Sequence, residues 1–188
     1  LESPIRLRLL ERLRKTGTPL GEYVKGRFYY GIKTGLNEAF VVRREKRDEL
    51  IAEHPSSKEV LKPFLRGRDV KRWRVEFDDW YLIKIESSEN VQHPWSGKSK
   101  KEAEKTFAKA FPAVHEFFDG KRNDLIKRYD QGEYFWELRS CAYWQEFEQP
   151  KIVVPAITDT VNYAPDPHAY FSNDKTSILI PPSVSFML

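Results

Sequence analysis

The sequence predicts an α+β fold in which a mixed sheet carries helical insertions. Two observations predict it. Short runs rich in β-branched and aromatic residues, near 27–33, 38–43, 79–85, 151–155 and 177–181, have the length and composition of strands. Polar stretches between and around them place apolar residues at helical spacing. Insertions of that size do not suit a plain barrel or sandwich. Residues 1–188 are read as a single domain, because the chain has no internal repeat and no clear linker.

The elements follow in order. Pro4 to Lys15 set Leu7, Leu10 and Leu13 at helical spacing among four arginines, with Ser3 as start cap and Gly17 as stop. An aromatic strand, Phe28 to Tyr30, leads into a loop with two glycines, and Ala39 to Val42 reads as the strand leading out. Arg43 to Pro55 is helix-forming, with Leu50 and Ile51 as anchors and its basic residues on a solvated face. Ser56 or Ser57 starts a short helix through Leu61. Asp79 to Ile85 is a buried strand, and Glu86 to Lys101 a Ser- and Lys-rich loop. Glu102 to Lys109 is helical. Phe111-Pro112 restarts a helix whose spacing breaks at Gly120, giving two helices or one kinked one. Pro150 to Pro155 is a strand bounded by prolines, Tyr163 to Phe171 a loop, and Ser177 to Ile180 a last strand.

Composition narrows the partners. The chain has 40% apolar residues, enough for a core, and 14% aromatic residues, so that some rings are expected at the surface. A net charge of +4 suits a polyanionic partner but is too small to demand one. Cys141 is the one cysteine and has no partner within the chain, which suits a reducing compartment, and a cytoplasmic location is expected. No apolar run is long enough to span a membrane. The chain starts at Leu1 and stops in the apolar run Ser185 to Leu188, so it is read as a domain excised from a longer protein.

The loop Gly31-Ile32-Lys33-Thr34-Gly35-Leu36-Asn37 is expected to hold Lys33, Thr34 and Asn37 at an exposed tip, with Gly31 and Gly35 shaping it. It is either a bare turn or a set of donors facing a ligand. It is not a nucleotide-binding P-loop. Ile32 separates the glycine from the lysine, the residues before Gly31 belong to a strand, and no helix is expected after Thr34. The densest basic and aromatic stretch is Lys62 to Trp73, with Arg66, Gly67, Arg68, Lys71 and Arg72. Arginine forks suit phosphate oxygens and guanine edges, and Gly67 lets a sugar–phosphate chain approach; a plain charged loop is the alternative. Arg139, between Trp136 and Trp144, is a third candidate.

Catalytic patterns are sparse. His54, His93, His115 and His168 share no metal-ligand spacing with one another or with Cys141. There is no Gly-x-Ser-x-Gly elbow. Asp69-Val70-Lys71 and Asp119-Gly120-Lys121 have the spacing of a metal-dependent nuclease, but neither lies on an apolar strand behind a second acid. No catalytic residue, cofactor site or metal site is assigned.

Four ordered blocks then resemble one family. Gly31 to Phe40 closely resembles the opening signature of the TaqI-like C-terminal specificity domain, the target recognition domain of adenine-specific DNA methyltransferases and type IIG restriction-modification enzymes. Lys62 to Trp73, Trp136-Glu137-Leu138-Arg139 and Pro150 to Pro155 look like its second, third and fourth blocks. The match departs around Ser96 to Ala108, where extra Lys-rich residues stand. The resemblance implies a non-catalytic DNA-binding specificity domain that reads double-stranded DNA. A methyltransferase domain of the same polypeptide would bind S-adenosylmethionine and methylate a flipped adenine, residues 1–17 would link to it, and a fused nuclease would need Mg²⁺. Lys33, Thr34, Asn37, Arg66, Arg68, Lys71, Arg72 and Arg139 are the expected DNA contacts. Asp69 has a second reading, as an internal partner of an arginine. The alternatives are a docking module of a DNA-modifying assembly and, further off, a metal-dependent nuclease.

Overall fold

The computed structural model describes residues 3–183, so the run Ser185 to Leu188 lies outside the described residues. Helix α1 (Pro4–Thr16) starts where the Ser3 hydroxyl accepts a hydrogen bond from the Arg6 amide and stops where the Gly17 amide donates to Leu13, as its end residues predict. No residue of α1 is buried. A short α2 (Leu20–Tyr23) leads to β1 (Phe28–Tyr30). The glycine loop ends in one helical turn, α3 (Asn37–Phe40), followed by β2 (Val41–Arg43), α4 (Arg44–Glu53), α5 (Ser57–Val60) and β3 (Leu61–Leu65). A 3₁₀ turn at Gly67–Asp69 opens the hairpin β4 (Val70–Lys71) and β5 (Arg74–Val75), and β6 is Trp80–Ile83. Then come α6 (Lys100–Ala110), α7 (Pro112–Asp119) and α8 (Arg122–Lys127), the last two separated at Gly120. A second 3₁₀ turn, Trp144–Glu148, precedes β7 (Lys151–Pro155), β8 (Ala164–Asp166), β9 (Phe171–Ser172) and β10 (Thr176–Leu179).

The strands form two four-stranded sheets, so the α+β expectation holds. One runs β1-β10-β7-β8, all antiparallel. The other runs β2-β6-β3-β9, with β3 and β9 parallel. The chain passes from the second sheet to the first at Asn173–Lys175, between β9 and β10. That turn also receives the glycine loop through a parallel bridge between Ile32 and Asn173. Phe64, Leu65, Leu82, Val153 and Ile178 are buried within the sheets. The helices bring Phe107, Val114 and Phe118 against Trp95 and Trp136, with the Phe107 and Trp136 rings stacked at 4.9 Å. Trp136 and Phe64 are therefore core residues.

Two expectations are corrected, and one strand is added. The strand expected over 38–43 begins only at Val41. The Ala39 and Phe40 amides bond back to the Leu36 carbonyl, and that helical turn buries both side chains. Residues 61–65 form a strand despite Pro63, because Phe64 and Leu65, not the proline, take the parallel partner in β9. The expected loop over 163–171 contains β8 and the start of β9, strands too short to show a period.

Gly31 is set by close approach. A Cβ there would stand 1.8 Å from the Asn173 carbonyl oxygen, while one on Gly21 meets nothing within 4 Å. Gly31→Ala is expected to cost about 3 kcal/mol or more by denaturant unfolding. Gly21→Ala, inside α2, is expected to gain about 0.5–1 kcal/mol. Equal stability of the two variants would refute the close-packing account.

Candidate nucleic-acid interface

The glycine loop is built from both its ends. The Gly31 and Ile32 amides donate to the Thr176 and Ser172 carbonyls at 2.9 and 2.7 Å, which fastens its start to the crossing turn. Gly35 takes φ +71°, and a Cβ on it would press on the Arg128 side chain at 2.7 Å. Arg128 is buried. It donates to the Thr34, Phe135 and Glu137 carbonyls and lies 4.4 Å over the Phe40 ring. Burial pushes its guanidinium down to about 10, against the pull of Asp130. Arg128 thereby joins the loop to the third sequence block.

Of the three expected tip residues, Lys33 and Asn37 are exposed and Thr34 is not, at 2%. The Thr34 hydroxyl donates to Asn37 Oδ1 at 2.7 Å and accepts from the Leu36 amide, so Thr34 closes the loop from within. The Asn37 side chain is braced at its oxygen and faces outward.

The second block divides its charges. Asp69 is buried and accepts from the Arg66 amide, Nε and Nη2 at 2.8, 3.1 and 2.8 Å. Arg66 also pairs with Asp78 at 2.5 Å and lies over the Trp80 ring. Burial pulls its pKa down, and these hydrogen bonds carry it above the ordinary arginine value. Arg66, expected on DNA, is thus consumed inside the fold. Asp69 is an internal partner, with its lone pairs turned to Arg66 and away from any metal. Arg68, Lys71 and Arg72 have no carboxylate partner among the described residues, unlike Arg43, Arg44 and Arg74. The hairpin β4–β5 lifts Lys71 and Arg72 to its two-residue tip, Arg72–Trp73. Trp73 takes φ +66°, which costs a side-chain-bearing residue about 1–2 kcal/mol.

Both blocks meet on the turn Asn173–Lys175. Gly31 packs on the Asn173 carbonyl, and a Cβ on Gly67 would lie 3.1 Å from the Lys175 carbonyl oxygen. A groove opens on each side of the turn. One, of about 360 Å³, is lined by Tyr30, Lys33, Arg139, Tyr143 and Asp174. The other, of about 450 Å³, is lined by Arg68, Lys71, Asn162, Asn173 and Lys175. In the first, Asp130 holds Lys33 at 2.9 Å and Arg139 at 3.4 Å, leaving both cations exposed and aimed. Burial pushes the Cys141 thiol and the Tyr143 phenol up, so both stay neutral. The third block otherwise faces inward. Glu137 is buried and accepts from Trp95 Nε1, the Ser88 hydroxyl and the Ser88, Glu133 and Tyr134 amides.

No family model matches the chain. No curated protein matches it. Among solved structures it is similar to the type IIL restriction-modification enzyme MmeI, solved in complex with DNA. The TM-score is 0.45 at 12% identity, over 83% of this chain and 19% of that one. The chain spans about a fifth of that enzyme's length.

Sequence reasoning missed Tyr30, Trp73, Asp130 and Lys175. Period-two alternation after the buried-edge Tyr29 marks Tyr30 as outward. No local signal marks Asp130 or Lys175, whose places depend on chain crossings. Among the described residues no three His, Cys, Asp or Glu side chains are grouped to hold a metal.

The two arginines of the second block should separate by experiment. Asp69→Ala strips a mostly buried Arg66 of its fork, and a loss of about 2–4 kcal/mol in unfolding free energy is expected. Arg68→Ala should leave stability within about 0.5 kcal/mol. A fold indifferent to Asp69→Ala would remove the internal role.

Proposed function

We propose that this chain reads double-stranded DNA as the target recognition domain of a restriction-modification enzyme. The observation that carries the proposal is the pair of grooves flanking Asn173–Lys175, which brings Lys33 and Arg139 to one and Arg68 and Lys71 to the other from separate parts of the sequence, with Arg72 on the adjoining hairpin tip. Arg68, Lys71 and Arg72 have no carboxylate partner among the described residues, and Lys33 and Arg139 stay exposed on their shared Asp130; such cations suit phosphates, which set register and orientation. Asn37, exposed with its oxygen braced by Thr34, has the amide geometry that forks to adenine in the major groove. The four blocks that resemble the TaqI-like specificity domain support an adenine-specific methyltransferase, binding S-adenosylmethionine, in the rest of the polypeptide. They support a type IIG parent as well, with its Mg²⁺-dependent nuclease and a cytoplasmic setting. The exposed Ile5, Leu7, Leu9, Leu10 and Leu13 of α1 favour a protein contact through that helix, which agrees with α1 joining this domain to its methyltransferase. The loops and short strands that shape the grooves fit recognition, with the chemistry carried by other domains.

Duplex binding should weaken linearly in log–log form with salt. Lys33→Ala, Arg68→Ala, Lys71→Ala and Arg72→Ala should each lower the slope by about 1 at unchanged stability. Arg66→Ala should lower stability instead. Asn37→Ala should alter sequence choice more than overall affinity. Wild-type binding that ignores salt would sink the DNA reading, and Mg²⁺-dependent nicking lost in Asp69→Ala would favour a nuclease.

A further inference from the structure

Trp73 stands apart from the other tryptophans. It is 61% exposed, whereas Trp95, Trp136 and Trp144 are buried and Trp80 is covered by Arg43 and Arg66. It occupies the second tip position of a two-residue hairpin with positive φ, a place that glycine or asparagine takes without strain. The fold fixes it there. The Trp73 amide donates to the Tyr163 carbonyl at 2.8 Å, and Val70 and Lys71 pair with Val75 and Arg74 behind it. An exposed, strained indole does nothing for the core, so its reason lies outside the fold.

The surroundings state what it meets. Lys71 and Arg72 adjoin it in the hairpin, without carboxylate partners among the described residues, and the Arg72 guanidinium lies 5.9 Å from the ring centre. The neighbouring loop is stiffened by hydrogen bonds among Thr158, Thr160 and Asn162, and it leaves Ile157 90% and Val161 57% exposed. An aromatic plate and small apolar groups beside cations without a carboxylate partner among the described residues match a base step of duplex DNA: π-faces between two lines of phosphate.

We propose that Trp73 is a stacking wedge, inserted by the β4–β5 hairpin against a base step while the surrounding cations hold the phosphates. This rests on the DNA reading above. It adds a local unstacking of the duplex, which phosphate contacts alone do not produce.

The test uses the full 188-residue chain and sheared mixed-sequence duplex DNA. Wild-type tryptophan emission should be quenched by acrylamide, and DNA should shield the quenched fraction. Trp73→Asn, which suits the left-handed backbone, should equal or exceed the wild-type thermal midpoint. It should bind about ten- to a hundredfold more weakly with an unchanged salt slope. Trp73→Phe should keep most of the affinity. If wild type binds with a salt slope while quenching is unaltered by DNA and Trp73→Asn binds as wild type does, the wedge is overturned and the DNA reading stands. If wild type shows no salt-dependent binding, the DNA reading fails and takes the wedge with it.

Discussion

Everything on the candidate face depends on backbone packed against backbone at Asn173–Lys175. Gly31 rests on one end of this turn, where a Cβ would stand 1.8 Å from the Asn173 carbonyl oxygen, and Gly67 on the other, where a Cβ would be tight at 3.1 Å from the Lys175 carbonyl oxygen. The Asn173 amide closes the arrangement by donating to the Leu65 carbonyl at 3.0 Å. The same turn carries the chain between the two sheets. One local contact therefore fixes the angle between sheets, the path of the glycine loop and the seat of the second basic block. A side chain at Gly31 could not be seated without moving the backbone of this turn.

Around this contact the fold spends several charges on itself. Arg128 clamps three carbonyls, Glu137 collects five neutral donors, Asp69 holds Arg66, and Lys151 meets Asp166 at 2.6 Å with both fully buried. Burial drives Lys151 below its ordinary value, against the pull of Asp166. Such groups are costly to bury, and hydrogen bonds and ion pairs offset that cost, although Arg66 Nη1 and Arg128 Nε have no hydrogen-bond partner among the described residues. They tie down the irregular segment of residues 128–143 through the hydrogen bonds of Arg128, Tyr134 and Glu137. The outward cations are then held by a scaffold that has already satisfied its own electrostatics. Asp130 marks the boundary, buried on one side and steering Lys33 and Arg139 on the other.

The fold was legible wherever local rules operate. Ser3, Pro4 and Gly17 bounded α1 correctly, and Gly120 separated two helices as its place in the spacing required. Legibility failed where a short segment answered to its neighbours. Phe40 left the expected strand because a helical turn brings its ring beneath Arg128. Residues 164–166 and 171–172 became strands because β7 and β3 offered free edges. For the candidate site, residue type singled out the blocks but did not separate structural from outward-facing members. Arg66 and Arg68 look alike in sequence, yet one is sealed against Asp69 and the other has no partner among the described residues.

By itself the sequence determined the alternation of strands and helices, the glycine loop, the basic stretch Lys62 to Trp73 and the four blocks that resemble a specificity domain. These follow from spacing, capping and backbone freedom, all of which act over a few residues. Only the tertiary structure decided which charges are structural, that Thr34 turns inward, and that Gly31, Gly67 and Lys175 meet at one turn. Those outcomes depend on groups far apart in the chain competing for the same buried partners. Spacing along a sequence cannot encode that competition, because it is settled by distances that exist only after the chain has crossed between its sheets.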